Sequence, residues 1–336
     1  MSEGAMAGPR SFWPWRRAGA AEPAPAAAGV YLDWQQLLGL EFAARRVRWP
    51  PQQASARSLL AGRHRSRVRG RGLDFIELRQ YQPGDDTRTI DWRASARTGR
   101  AHVRVYAEER DRPTWLVADQ RISMFFARRG SLRSVVAAEA AAVWGWRALS
   151  GGDRVGGLVI ADDGLDEVMP GRGRRSLLQF LERLRSRNHA LRADSPVPPA
   201  PAQLDAALQR LVQQNPRDAV IAIFSDFDGL GERSRSLLLE LARHNDLVLL
   251  PIWEDASTTT QGVRLVVSDG QAQLPIDHGD RRVIEGLATL ARERSERLRG
   301  LRAELGCAVL PLLNSEPALL QLARGLDKTP PSAARL

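Results

Sequence analysis

The densest cluster of residues able to do chemistry lies between Asp74 and Arg97. There Glu77, Asp85, Asp86 and Asp91 alternate with Arg79, Arg88, Arg93 and Arg97. Carboxylates held by arginine stay ionised and make poor general acids or bases near neutral pH. The pattern therefore reads as a self-neutralising network that braces a fold, in preference to a catalytic centre. Pro83-Gly84-Asp85-Asp86 supplies tight-turn chemistry between its two arms.

Upstream, Arg63-His64-Arg65-Ser66-Arg67-Val68-Arg69-Gly70-Arg71-Gly72 concentrates positive charge suited to phosphate or to an acidic protein surface. No stacking aromatics interleave this run, which argues against nucleic acid. Several reaction classes lack their residues altogether. Lys328 is the only lysine among 49 basic residues and stands in a Pro-flanked tail, so neither a P-loop, a kinase strand lysine nor a Schiff base can form. Cys307 is the only cysteine; it opens the apolar run Cys307-Ala308-Val309-Leu310 and reads as a buried strand residue, not a reactive thiol. Five scattered histidines, without His-Glu-x-x-His or Gly-x-Ser-x-Gly, leave no hydrolase signature.

The elements that must position these residues change character along the chain. Residues 1–29, rich in Ala, Pro and Gly, read as a flexible arm whose Trp13, Trp15, Arg16 and Arg17 suit a membrane surface or a partner. Leu37, Leu38 and Phe42 recur at helical spacing over 33–46, and Asp33 with Gln36 resembles a capping box. After a strand-like stretch at 101–108 the pattern becomes strand, helix, strand, helix, the mark of a mostly parallel sheet covered on both faces. Strands are predicted at 114–119, 154–161, 218–226, 247–253 and 307–313, with a hairpin inserted near 262–277. Helices are predicted at 131–149, 174–188, 202–214, 233–244, 279–305 and 316–326. In the first of these helices Val135, Ala138, Ala142, Val143, Trp146 and Leu149 share a face, with Ser131 as cap and Gly151-Gly152 as stop. Three divisions follow: the arm to residue 29, a charged helix and β module over 30–112, and an α/β domain over 113–328 with a tail at 329–336.

The chain is 43% hydrophobic and carries a net charge of +10. No apolar run approaches the roughly 20 residues of a membrane-spanning helix. The expected compartment is the cytoplasm, with peripheral attachment at the inner membrane left open. The excess charge lies in the front third, where residues 1–112 hold 20 arginines against 12 carboxylates. A third of the chain with that bias would suit an anionic partner, and salt titration would reveal it.

Phe75-x-Glu77-Leu78-Arg79-x-Tyr81-x-Pro83-Gly84-Asp85-Asp86-x-Arg88-x-Ile90-Asp91-Trp92-Arg93-Ala94-Ser95-Ala96-Arg97 is a distinctive string. With Glu108-Glu109-Arg110, Ser123-Met124 and Gly152-Asp153-Arg154-Val155-Gly156, it resembles domain-of-unknown-function family 58, a group of von Willebrand factor A-like proteins commonly encoded beside MoxR-type AAA+ ATPases. The resemblance covers roughly residues 57–255. It implies an α/β fold of the von Willebrand factor A type, doubly wound around a mostly parallel sheet.

That fold can hold a divalent cation at the C-terminal end of its sheet through an Asp-x-Ser-x-Ser loop, a Thr from a second loop and a later Asp. Carried onto this chain, the resemblance assigns Asp119, Ser123 and Asp226, with Arg121 standing where the first Ser belongs and no Thr in the corresponding loop, taken as 169–175. Two accounts stay open. Arg121 swings outward and a weak Mg²⁺ or Ca²⁺ site survives, or its guanidinium fills the site and pairs with Asp119 or Asp226. The second is favoured, because arginine offers no donor oxygen and neutralises acids that otherwise repel.

The expected function is that of a non-enzymatic adaptor or scaffold without a cofactor, whose partner is a MoxR-type ATPase or its client. Arg79, Tyr81, Asp85, Asp86, Arg88, Asp91, Trp92, Arg93 and Arg97 would form or brace the interaction face. The competing readings are a metal-dependent hydrolase built on Asp119, Asp226 and Asp228, and binding of anionic membrane or nucleic acid through the basic front third.

Overall fold

Apolar side chains alternate along the central strands so that Leu116 and Ala118 join one hydrophobic cluster while Trp115 and Val117 join another. Two-sided burial of this kind requires helices above and below a sheet. The computed structural model describes residues 29–47, 73–83, 85–108, 112–127, 129–254, 264–268, 273–277 and 281–327. Trp13, Trp15, Arg16 and Arg17, the basic run 63–72 and the tail 329–336 lie outside the described residues.

In chain order come α1 (Trp34–Ala44), β1 (Leu73–Gln80), α2 (Trp92–Thr98), β2 (His102–Glu108), β3 (Pro113–Asp119), α3 (Arg133–Ser150), β4 (Arg154–Ala161), β5 (Gly164–Gly171) and α4 (Arg174–Ala190). There follow α5 (Gln203–Gln214), β6 (Val220–Ser225), α6 (Glu232–Ala242), β7 (Asp246–Trp253), β8 (Arg264–Ser268), β9 (Gln273–Asp277), α7 (Arg281–Leu305), β10 (Ala308–Val309), β11 (Leu312–Leu313) and α8 (Ala318–Asp327). The main sheet has the order β10-β7-β6-β3-β4-β5, with β11 also on β7. Its pairings are parallel except for the edge strand β5, which runs antiparallel to β4. The protein is thus a mixed α/β structure with a mostly parallel central sheet. β1 and β2 form a separate antiparallel pair, and β8 and β9 form the expected hairpin.

Helices α1, α3, α4 and α8 supply one core cluster, and α5, α6 and α7 the other. Helix α3 departs from the one-faced pattern: it is buried on nearly every side, because α1, α4 and α8 pack over its outer surface. Trp146 Nε1 donates to the Leu37 carbonyl at 3.0 Å, tying α1 to it. Leu37 is buried as its spacing suggested, whereas Phe42 is 82% exposed, since Leu37 and Ala44 define the face that meets α3. Asp33 caps α1 by accepting from the Gln36 amide at 3.1 Å, but the Gln36 side chain turns to Glu139 and leaves the box half made.

Three further expectations are corrected. Ser131 does not cap α3, whose N-cap position is Leu132 without a side-chain bond. The strand expected over 307–313 is split into β10 and β11 at Leu310-Pro311, where proline has no N–H to give the ladder. The supposed loop at 169–175 is strand as far as Gly171, a two-residue bend at 172–173 and then the start of α4 at Arg174; Pro170 fits in β5 because that strand is an edge. Cys307 is buried, and burial pushes its thiol pKa up to about 11, as an inert core residue requires.

Candidate functional site

The parallel strands β3, β4, β6 and β7 deliver their C-terminal ends to one edge of the sheet, where loops converge. Asp119 closes β3 and is fully buried. Two residues on, Arg121 is 1% exposed, one of the largest side chains sealed inside the protein. Its Nε donates to Asp119 Oδ1 at 3.0 Å and its Nη2 to Asp119 Oδ2 at 2.7 Å, a bidentate pair. The Arg121 amide also donates to Asp119 Oδ1 at 3.0 Å. Burial alone would lower the guanidinium's pKa, but the charge of Asp119 and, farther off, those of Asp226 and Asp228 raise it. Arg121 is therefore a fixed cation.

Other loops complete its enclosure. Nη1 donates to the Pro201 carbonyl at 3.1 Å and Nη2 to the Asp228 carbonyl at 3.0 Å. Asp226 stands farther away, with Oδ1 at 3.9 Å from Nη2, and its other oxygen faces Arg133 Nη1 at 3.6 Å. Asp119 is thus the principal partner, and Asp228 bonds through its backbone carbonyl while its carboxylate adds negative charge at longer range. Ser225 donates its hydroxyl to Asp119 Oδ2 at 2.6 Å and accepts from the Phe227 amide at 2.8 Å. The turn that carries these contacts is unusual: buried Phe227 has φ +55° and Gly229 has φ +81°. A Cβ on Gly229 would lie 2.5 Å from the Pro201 carbonyl oxygen, so only glycine permits this approach.

Asp162, just past β4, locks the loops together by accepting from the Ile122 amide at 2.6 Å and the Ala200 amide at 2.8 Å. A buried chain behind Asp119 adds rigidity, with Gln120 donating to the Ser134 carbonyl and Asn188 donating to Gln120. Asp162, Pro201 and Ser225 are participants that sequence reasoning missed. The segment facing Arg121 is the Ala200-Pro201 turn before α5, not 169–175. Its contribution is a backbone carbonyl, which leaves no side-chain signature.

A divalent cation here would need free oxygens from Asp119, Ser123 and Asp226. Both Asp119 oxygens are engaged by the guanidinium and Ser225, and the cationic head stands among the remaining oxygens. The Ser123 hydroxyl is buried without a hydrogen-bond partner among the described residues. With Arg121 in place the residues do not fit such an ion.

The charged segment 79–104 is organised differently. Arg79 grips Asp85 with two bonds of 2.9 and 2.7 Å, and Arg104 Nε meets Asp91 Oδ2 at 2.9 Å. Asp91 Oδ1 caps α2 by accepting from the amides of Arg93 and Ala94, each at 3.0 Å. Its carboxyl is held below the usual range by the Ala94 amide first and then by Arg104. Asp86 caps a short turn by accepting from the Arg88 amide at 3.0 Å. Tyr81 joins the backbone ladder through its amide to the Ala101 carbonyl at 2.8 Å. The expected full neutralisation fails: the guanidinium groups of Arg88, Arg93 and Arg97 have no ion-pair partner among the described residues, and Trp92 is 71% exposed.

The family described as "Protein of unknown function DUF58" matches residues 77–297, more than half of the chain. The chain is 32% identical over 195 residues to uncharacterized protein Mb1516 of Mycobacterium bovis, covering 57% of this chain and 58% of that one. The same figures hold for uncharacterized protein Rv1480 of Mycobacterium tuberculosis. The chain thus spans 58% of the length of the curated relatives it matches. Among solved structures, it is similar to the crystal structure of conserved hypothetical protein BatB from Bacteroides thetaiotaomicron, with 15% identity, a TM-score of 0.38, and coverage of 65% of this chain and 98% of that one.

Proposed function

This chain belongs to the DUF58 family, and from that premise we propose that it is a non-enzymatic adaptor of the von Willebrand factor A type in which a guanidinium has replaced the cation. Its body is the 113–328 unit, preceded by the charged module within 30–112. The observation that carries this reading is the enclosure of Arg121 by Asp119 and by the carbonyls of Pro201 and Asp228. A centre neutralised from within holds its loops in one arrangement without an exchangeable ion, which suits constitutive presentation of a docking face. It suits hydrolysis poorly, because Asp119 is tied up in a bidentate pair and is not free to activate water.

The partner we assign is a MoxR-type AAA+ ATPase or the client it remodels, and the place of action is the cytoplasm, with peripheral attachment at the inner membrane. No helix among the described residues is long and apolar enough to cross a membrane. The test is binding of the purified full chain to a purified MoxR-type AAA+ ATPase assembled with ATP, followed by analytical ultracentrifugation. A complex is expected, with no turnover of phosphate or carboxylic esters by the chain alone. Absence of any complex, or ester turnover lost on Asp119→Ala, would refute the proposal.

A further inference from the structure

We infer that the outward face of α2 is a docking surface for an acidic protein segment that carries an apolar side chain. This inference rests on the interaction-scaffold reading and names the chemistry of its partner.

Helix α2 packs on β2 through Ala94 and Ser95, and exposed Thr98 meets the same strand with Oγ1 at 3.1 Å from His102 Nδ1. Ala94 is buried, Ser95 Oγ accepts from the His102 amide at 2.9 Å, and Thr98 Oγ1 donates to the Ala94 carbonyl at 3.1 Å. The positions left outward are Trp92, Arg93, Ala96 and Arg97, all exposed. Trp92 with Ala96 and Arg93 with Arg97 are i,i+4 neighbours, so they form two adjacent columns of one surface. Arg88 precedes this surface and Arg100 follows it, both exposed. None of these four guanidinium groups has an ion-pair partner among the described residues.

Charge is segregated across the module. Asp85 and Asp91 are spent on Arg79, on Arg104 and on helix capping, while Arg88, Arg93, Arg97 and Arg100 are exposed, as is the Trp92 indole. The arrangement costs the fold something, since like charges at i,i+4 repel and an exposed tryptophan keeps apolar surface in water. No contact among the described residues of the module repays that cost. Tryptophan and arginine are the side chains that most often anchor protein interfaces, and planar guanidinium matches carboxylate bidentately. Ala96 between them leaves a shallow floor beside the indole for an apolar side chain of the partner. Nucleic acid fits less well, because one indole is a single stacking platform where single strands use successive ones, and Asp86 stands exposed at the margin.

The test uses fluorescence anisotropy with the full chain and two probes: a short labelled peptide alternating glutamate and leucine, and a single-stranded oligonucleotide of equal charge. The peptide is expected to bind more tightly than the oligonucleotide. Its affinity should fall about tenfold in Trp92→Ala and in Arg93→Glu/Arg97→Glu, with the thermal midpoint unchanged. Should the charge reversal unfold the module, Arg93→Gln/Arg97→Gln carries the same expectation. Absence of peptide binding, equal binding by the variants, or tighter binding of the oligonucleotide overturns the inference. A chain that captures the ATPase yet ignores the peptide refutes the α2 surface alone. One that binds the peptide but captures no ATPase refutes the partner assigned above.

Discussion

Arg121 and Arg93 begin alike and end in opposite places. Each follows an aspartate by two residues, and each donates its backbone amide to that aspartate's Oδ1 at 3.0 Å. Beyond this shared turn they diverge. Arg121 folds its guanidinium back onto Asp119 inside the protein, whereas Asp91 gives its second oxygen to Arg104 and Arg93 reaches into solvent. The Asp-x-Arg spacing fixes the turn but not the pairing. What decides the pairing is the surroundings. At the sheet edge, the loops after β4 and β6 and before α5 shut out water, so the guanidinium must satisfy itself on Asp119 and on carbonyls. Beside α2 the register of β2 brings Arg104 to the aspartate first, and water suffices for Arg93.

The comparison breaks most sharply at the buried pair. Asp119→Ala strands Arg121 without its carboxylate and is expected to cost about 3–5 kcal/mol in chemical denaturation. In a double-mutant cycle, Asp119→Ala with Arg121→Met should recover a large part of that loss; a strictly additive cycle would show that the two do not act as a unit. Gly229→Ala tests whether the loops truly close around the guanidinium, since positive φ and the Pro201 carbonyl both oppose a Cβ; a loss of about 1–3 kcal/mol is expected.

Glu139 sharpens the contrast from the side of the acid, as a half-buried carboxyl whose hydrogen-bond partner is Gln36 and not an arginine. Burial raises its pKa from 4.5 to about 7. Because the folded value exceeds the unfolded one, the protonated form favours folding: stability is full below about pH 4.5, declines toward pH 7 and then levels off. The decline should be on the order of 1 kcal/mol, allowing for water's access to the group, and Glu139→Gln should abolish it in denaturation curves taken across that range. At the small end, Arg93→Ala and Arg97→Ala should shift stability by no more than about 0.5 kcal/mol. A larger loss would mean that they pair after all.

Much of the fold was legible because strand burial writes itself into composition. β4 was read to the residue, and the helices of the α/β body were read to within a few residues, since apolar runs and 3.6-residue periodicity survive any context. β5 was missed because Asp166, Glu167 and Pro170 mask an edge strand that needs little hydrophobic contribution. At the site, the resemblance carried Asp119, Arg121 and Asp226, and the guanidinium account followed from donor chemistry alone. Pro201 and Asp162 stayed invisible, one acting through its carbonyl and the other through contacts with two loops distant in sequence. The split within the charged module was equally hidden, because Arg79, Arg88, Arg93 and Arg97 look interchangeable until strand register and capping assign the carboxylates.

The claim that a guanidinium stands in for a cation is tested most directly by isothermal titration of the metal-stripped full chain with Mg²⁺, Mn²⁺ and Ca²⁺, beside Arg121→Ser. The account expects no saturable heat from the natural protein and binding only by the variant, which exchanges the buried cation for a hydroxyl. Micromolar binding by the natural protein, abolished by Asp119→Ala, would contradict it.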